Sequence, residues 1–248
     1  MSSRAGSSRF FHAPDLPSWG SRERDVQARV KLLLTSAGVT NPSIRDVLVD
    51  LLGKPIADSH ALCIPTAIYG NPASGPASVW RFITGQTPLP MCSLGWKSLG
   101  VLELPRCPAF GEEQWVPWVQ EADVILVAGG DTTYLSHWMR QSGLVDVLPS
   151  LRDTVWVGLS AGSMVLTPRV GAEFVMWPSA RDDRTLGFLD FSIFPHLGIE
   201  PDNTIACAER WAAEIAGPAY AIDDHPAIKM NDGTVEVVSE GHWKRFPS

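Results

Sequence analysis

Val155-Trp156-Val157-Gly158-Leu159-Ser160-Ala161-Gly162-Ser163-Met164 carries more of the fold than any other stretch of this chain. Thr154 to Leu159 is apolar and β-branched, the composition of a strand buried on both faces, and Ala161 to Leu166 has helix-compatible spacing. Between them stands Gly-x-Ser-x-Gly. A strand running through such a segment into a helix is a nucleophile elbow, a sharp turn that pushes the serine hydroxyl out where a substrate can reach it. Side chains at 158 and 162 would clash with the turn or with the start of the helix, which is why glycine suits both. The helix N-terminus behind Ser160 offers unpaired N–H groups to a developing oxyanion. The stretch predicts an α/β fold and serine-based acyl chemistry.

Upstream, Ala122 to Ala128 reads as another buried strand, broken by Gly129-Gly130-Asp131-Thr132, and Thr133 to Gly143 returns to helical period. Further out, Arg29–Leu34, Ala61–Pro65 and Gly100–Leu104 are short apolar strands. Helices are expected over Ser43–Leu52, Ser78–Ile83, part of Met91–Leu99, and Gln114–Gln120. Downstream, Phe188–Phe194 is strand-like, Ala206–Ile215 helical and Tyr220–Ile222 a short strand, and Lys229–Val238 folds as a hairpin about Asn231-Asp232-Gly233. Alternating short strands and helices predict a three-layer, mostly parallel sheet with helices on both faces, closed by the C-terminal β-hairpin. Residues 1–28 are rich in Ser, Arg, Pro and Gly without a period; they read as an extension, flexible or laid over the surface, ahead of one domain at 29–248.

Composition narrows the partners. An apolar fraction of 45% is ample for a sizeable core, and a net charge of -7 leaves no basic footprint for nucleic acid. The four cysteines (Cys63, Cys92, Cys107, Cys207) form no Cys-x-x-Cys pair and read as reduced thiols, not as a disulfide framework or a zinc site. No apolar run suffices to span a bilayer, and no signal-peptide h-region follows the N-terminal arginines, so the cytoplasm is the expected compartment. A homodimer is compatible with all of this.

A serine nucleophile needs a base, and the base needs an orienting acid. In open parallel sheets sites lie beyond the carboxyl ends of the strands, and Gly129-Gly130-Asp131, Ser160 and His196 all fall at such ends. Of the six histidines, His196 is delivered by Asp190-Phe191-Ser192-Ile193-Phe194-Pro195 and is the leading base. His242 reads as surface, yet Ser160, Asp224 and His242 stand in the chain order of an α/β-hydrolase triad. For the acid, Asp223 and Asp224 follow the strand ending at Ile222; neighbours in extended chain point apart, so one can orient a histidine while the other caps or meets solvent. Glu173 is the remaining rival.

Taken together, these residues resemble the S51 serine peptidases, the group of aspartyl dipeptidase (peptidase E) and cyanophycinase. The matching motifs are Val127-Ala128-Gly129-Gly130-Asp131-Thr132 with Leu135, Gly158-Leu159-Ser160-Ala161-Gly162, Phe194-Pro195-His196, and Ile222-Asp223-Asp224 with Ala227-Ile228, in family order from about Val30 onward. The resemblance implies a glutaminase-like fold and a Ser160, His196, Asp224 triad. Asp224 falls where related enzymes carry a glutamate one methylene longer, so its reach depends on where the backbone carries it, with Asp223 as the fallback. The family pattern also implies an oxyanion hole from the backbone N–H of Ala161 and of the Gly130-Asp131 turn. It sets the expected substrate as a short peptide, foremost a dipeptide with N-terminal aspartate, bound through a cation; Arg210, next to Glu209, stands at a fitting distance from His196. No metal or other cofactor enters this scheme. The alternatives are an S51-like exopeptidase or acyl hydrolase of different preference, and a silent glutaminase-like binding domain.

Overall fold

Leu32, Leu33 and Leu34 are each no more than 1% exposed, which requires a strand covered on both faces. They belong to β1 (Lys31–Thr35) of a computed structural model that describes residues 30–199, 201 and 203–247; the expected extension, residues 1–28, lies outside these. The chain continues through α1 (Pro42–Leu52), β2 (His60–Ile64), α2 (Ala67–Gly70), α3 (Pro76–Ile83), β3 (Ser98–Val101), α4 (Cys107–Phe110), α5 (Glu112–Gln120) and β4 (Val124–Val127). Next come α6 (Thr132–Gln141), α7 (Leu144–Val147), β5 (Val155–Leu159) and α8 (Ala161–Met164). The last third holds β6 (Ser192–Phe194), α9 (Ile205–Ile215), β7 (Ala219–Ile222), β8 (Pro226–Asn231), β9 (Thr234–Ser239) and β10 (Trp243–Phe246).

Seven strands form the main sheet in the order β3-β2-β4-β5-β1-β8-β9. The first five are parallel, and β8 and β9 close one edge antiparallel, so the sheet is mixed and mostly parallel, as expected. The β8–β9 hairpin turns through Asp232 and Gly233, both at positive φ (48° and 74°), the two-residue geometry whose twist matches the flanking strands.

Side chains alternate along β1: Leu32 and Leu34 enter one core layer, with Trp115, Leu135 and Trp156, while Leu33 enters the other, with Ile44, Leu48 and Phe82. Each fully buried leucine of this kind contributes about 1.5–3 kcal/mol relative to exposure. Local signals place the helices. In α1, Asn41 Oδ1 accepts the Ile44 N–H at 3.0 Å, Pro42 opens the first turn, and Gly53 closes the last with φ 68°.

The structure adds a second sheet that the sequence did not announce: β6 and β7 parallel, with β10 antiparallel along β7. One face, with Ile193, Tyr220 and Ile222, packs into the first core layer; the other, with Phe194, Ala219 and Ala221, holds a separate small core against Ala208 and Trp211 of α9. Of the strand expected over Phe188–Phe194, only Ser192–Phe194 pairs. Met91–Leu99 is not helical; Pro90 ends in a turn whose carbonyl accepts Val39 N–H, and Trp96 Nε1 bonds the Met91 carbonyl. Trp80 and Trp118 are 55% and 49% exposed, whereas Trp115 is buried. No described helix is long and apolar enough to cross a membrane.

Candidate active site

β5 lies in the middle of the main sheet, and Ser160 follows it directly at φ 48°, ψ −107°. Such a backbone costs a non-glycine residue about 1–3 kcal/mol and persists only where its surroundings enforce it. Here Ser160 N–H donates to Thr35 O at 2.9 Å, Met164 N–H donates to Ser160 O at 2.9 Å, and Trp156 Nε1 holds the Gly162 carbonyl at 2.9 Å. The glycines are needed for space: a Cβ on Gly158 would stand 2.5 Å from Gly162 O, and one on Gly162 would strike Val127 O. The elbow read from the sequence is therefore set by backbone crowding on both sides of the serine.

His196 arrives from the small sheet, two residues past β6, and it too has positive φ (55°). Its Nδ1 lies 2.7 Å from Asp224 Oδ1 and its Nε2 lies 3.1 Å from Ser160 Oγ. With Nδ1–H donating to the carboxylate, Nε2 keeps its lone pair and accepts the serine O–H. The shorter aspartate does reach. Backbone contacts explain how: the Thr40 hydroxyl donates to Asp224 O at 2.8 Å, and Asn41 Nδ2 donates to His225 O at 2.7 Å. Ser36 Oγ accepts His196 N–H at 3.1 Å and donates to Ile222 O at 3.2 Å. Ser36, Thr40 and Asn41, in the loop after β1, thus dock His196 and Asp224 onto the main sheet. Nothing in the sequence marks these three residues except that their loop leaves the carboxyl end of a parallel strand.

Asp223 points the other way. It is 6% exposed, accepting His225 N–H at 2.9 Å, and His242 N–H at 2.6 Å. His242 has a 94% exposed side chain whose Nδ1 meets Asp223 at 3.2 Å, not Ser160. Glu173 makes no bond to His196.

The expected oxyanion donors divide. Among the described residues no protein acceptor takes the N–H of Ala161 or of Gly130, and Gly130 lines the cleft with φ 137° and no room for a Cβ, which would strike Ala67 O. Asp131 is a correction: its N–H donates to Ala67 O at 2.9 Å and is occupied. Its buried carboxylate caps α6 at Tyr134 N–H (2.7 Å) and accepts Met176 and Trp177 N–H at 2.7 and 2.8 Å, so its part is to tie the elbow's neighbour loop to residues 176–177.

The cleft over Ser160 has a volume of about 490 Å³. Ile68, Asn71, Ser74, Ser78 and Phe82, from the stretch between β2 and the end of α3, line it, as do Glu173, Phe174 and Met176. Arg210 and Glu209 are the second correction. On α9 the buried face is Ala208, Trp211 and Ala212, which turns 209 and 210 outward; Glu209 pairs with Lys244 at 2.6 Å and Arg210 donates to Cys207 Sγ at 3.0 Å. Neither lines the cleft. Among the described residues no group of three His, Cys, Asp or Glu is placed to hold a metal ion.

An elbow serine, a histidine and a carboxylate at the carboxyl edge of a mostly parallel sheet define the serine-hydrolase class of α/β proteins. Peptidase family S51 matches residues 32–238, and the chain belongs to that family. Among curated proteins it is 26% identical over 121 residues to the "uncharacterized peptidase PM1590" of Pasteurella multocida (strain Pm70); the match covers 45% of this chain and spans 58% of that relative's length. Among solved structures it is similar to a protein described as a "putative peptidase E protein" from Listeria monocytogenes EGD-e, with TM-score 0.64, 18% identity, and 85% of this chain and 98% of the other covered. A peptidase from an acI-B1 actinobacterium gives TM-score 0.58 at 22% identity, covering 88% and 94% of the two chains. Both structures share the fold.

Proposed function

We propose that this chain is a serine-type peptidase of short peptides, with Ser160 as nucleophile, His196 as general base and Asp224 as the acid that orients it. The observation that carries the reading is the continuous relay of 3.1 Å from Ser160 Oγ to His196 Nε2 and 2.7 Å from Nδ1 to Asp224. As Ser160 Oγ attacks the peptide carbonyl, His196 takes its proton and Asp224 stabilises the imidazolium. The N–H groups of Ala161 and Gly130 receive the oxyanion; donors so placed are worth about 3–4 kcal/mol each in the transition state. The imidazolium protonates the leaving amine, and a water activated by the same histidine hydrolyses the acyl-enzyme.

A cleft of about 490 Å³ suits a ligand of a few residues. Family resemblance puts dipeptides with N-terminal aspartate first among substrates, although among the described residues no lysine or arginine lines the cleft. The test is hydrolysis of Asp-Leu, Glu-Leu, Ala-Leu and Leu-Asp by wild type and Ser160→Ala, together with fluorophosphonate labelling of the serine. The expected result is turnover and labelling in wild type and neither in the variant. A wild-type serine that does not label would favour the silent binding domain, and labelling lost in His242→Ala but kept in His196→Ala would overturn the triad.

A further inference from the structure

Among the described residues, Glu173 is the one ionisable side chain besides His196 that lines the cleft over Ser160. The rest of the lining is neutral: Asn71, Ser74, Ser78 and Thr87 supply amide and hydroxyl groups, and Phe82 and Leu89 supply apolar surface. No hydrogen bond or ion pair engages the Glu173 carboxylate within the described residues. The nearest arginine in sequence, Arg169, is committed to Asp183 at 3.0 Å.

The turn that carries Glu173 is firmly built. It spans Ala172–Phe174 and follows Gly171, at φ 89°, where a Cβ would stand 2.6 Å from the Trp211 ring and 2.7 Å from Glu173 Oε2. Trp211 Nε1 in turn holds Val170 O at 2.7 Å, Gly171 N–H donates to Asp183 at 3.1 Å, and the Phe174 ring packs edge-on against Phe194 at 5.2 Å. The Glu173 side chain itself is exposed; a carboxylate on the wall of a small cleft, without a partner among the described residues, attracts a cation and repels an anion.

We infer that Glu173 determines specificity at this site: its carboxylate receives the α-ammonium group of a short peptide and disfavours a substrate carboxylate beside it. The preferred substrates then carry a free N-terminus and an uncharged first side chain, in place of the aspartate that the family resemblance sets first. This inference rests on the serine-peptidase reading of the same cleft.

The test measures how fast a fluorophosphonate labels Ser160 in full-length wild type and Glu173→Gln, and how far Ala-Leu, Asp-Leu and N-acetyl-Ala-Leu slow that labelling; hydrolysis of the same peptides is followed in parallel. Labelling without peptide gives each protein its own baseline, and protection is read as the ratio to that baseline. In wild type Ala-Leu protects best. In Glu173→Gln its advantage over N-acetyl-Ala-Leu falls about tenfold to a hundredfold, the range for loss of a hydrogen bond to a charged group, and appears in KM more than in kcat. Strongest protection by Asp-Leu, an advantage unmoved by Glu173→Gln, or protection by none of the three overturns the inference and leaves the nucleophile standing. Absence of labelling in wild type overturns the serine-peptidase reading itself, and this inference with it.

Discussion

The two sheets contribute to the candidate site in different ways. The main sheet supplies Ser160 and the Gly130 turn from strands whose residues are fully buried and hemmed in by backbone; the elbow's shape is enforced by atoms that cannot move. The small sheet supplies His196 and Asp224 from strands of three and four residues over a core of their own, and it is held in register by side-chain hydroxyl and amide bonds from Ser36, Thr40 and Asn41. The elbow is shaped by steric exclusion between backbone atoms. The small sheet packs one face into the shared core, and the residues beyond its strand ends are placed by a few hydrogen bonds. Backbone crowding thus sets Ser160, whereas core packing carries the strands of the small sheet and docking bonds set His196 and Asp224.

That contrast can be broken first at the relay. Ser160→Ala and His196→Ala are each expected to lower kcat on a cleaved dipeptide by about 10⁴-fold or more, with no further loss in the double variant, because residues that act as one unit are not additive. Steady-state kinetics of the three proteins decide it. Steric exclusion is probed next: Gly162→Ala, with its Cβ against Val127 O, should lose about 3 kcal/mol of stability in urea unfolding, whereas Gly217→Ala, where nothing lies within 4 Å, should change it little.

Docking is sharpened by the two adjacent aspartates. Asp223→Asn is expected to cost about 1–3 kcal/mol of stability with kcat nearly kept; Asp224→Asn should keep the melting temperature and lose activity. Ser36→Ala belongs between them, lowering kcat about tenfold because His196 N–H loses its acceptor. The smallest effect is chemical. The Thr204 hydroxyl and the Arg210 guanidinium hold the Cys207 thiol below its ordinary range, while burial pushes Cys107 up to about 11. Mass spectrometry after iodoacetamide should find Cys207 modified first, with its rate rising at lower pH than that of an ordinary thiol, and activity unchanged.

The same contrast explains which parts of the molecule were legible in its sequence. Long apolar runs such as Val155–Leu159 and Val124–Val127 announce strands buried on both faces, and the crowding at Gly158 and Gly162 leaves a pattern because no other residue fits. The small sheet leaves almost none. Ser192–Phe194 is too short for a period, and β10 pairs along β7 through Trp243–Phe246, which alternate exposed and half-buried residues in a tail read as surface. His196 and Asp224 could be singled out from strand ends, but the choice between Asp223 and Asp224 depends on which way each side chain leaves the chain, a matter of register that Thr40 and Asn41 settle. Arg210 and Glu209 illustrate the limit: sequence distance from His196 suggested the cleft, while the apolar face of α9 turns both residues outward.

The division of the site between the sheets also sets the order of its assembly on the ribosome. Every group of the main-sheet half, from Ser36 to the elbow, is synthesised before residue 165, but the base comes at 196 and the acid at 224, and β8, which covers the free edge of β1, ends at Asn231. On the triad proposed above, a nascent chain that has made Ser160 still lacks His196 and Asp224, so activity is expected only once the strands that carry them have been added.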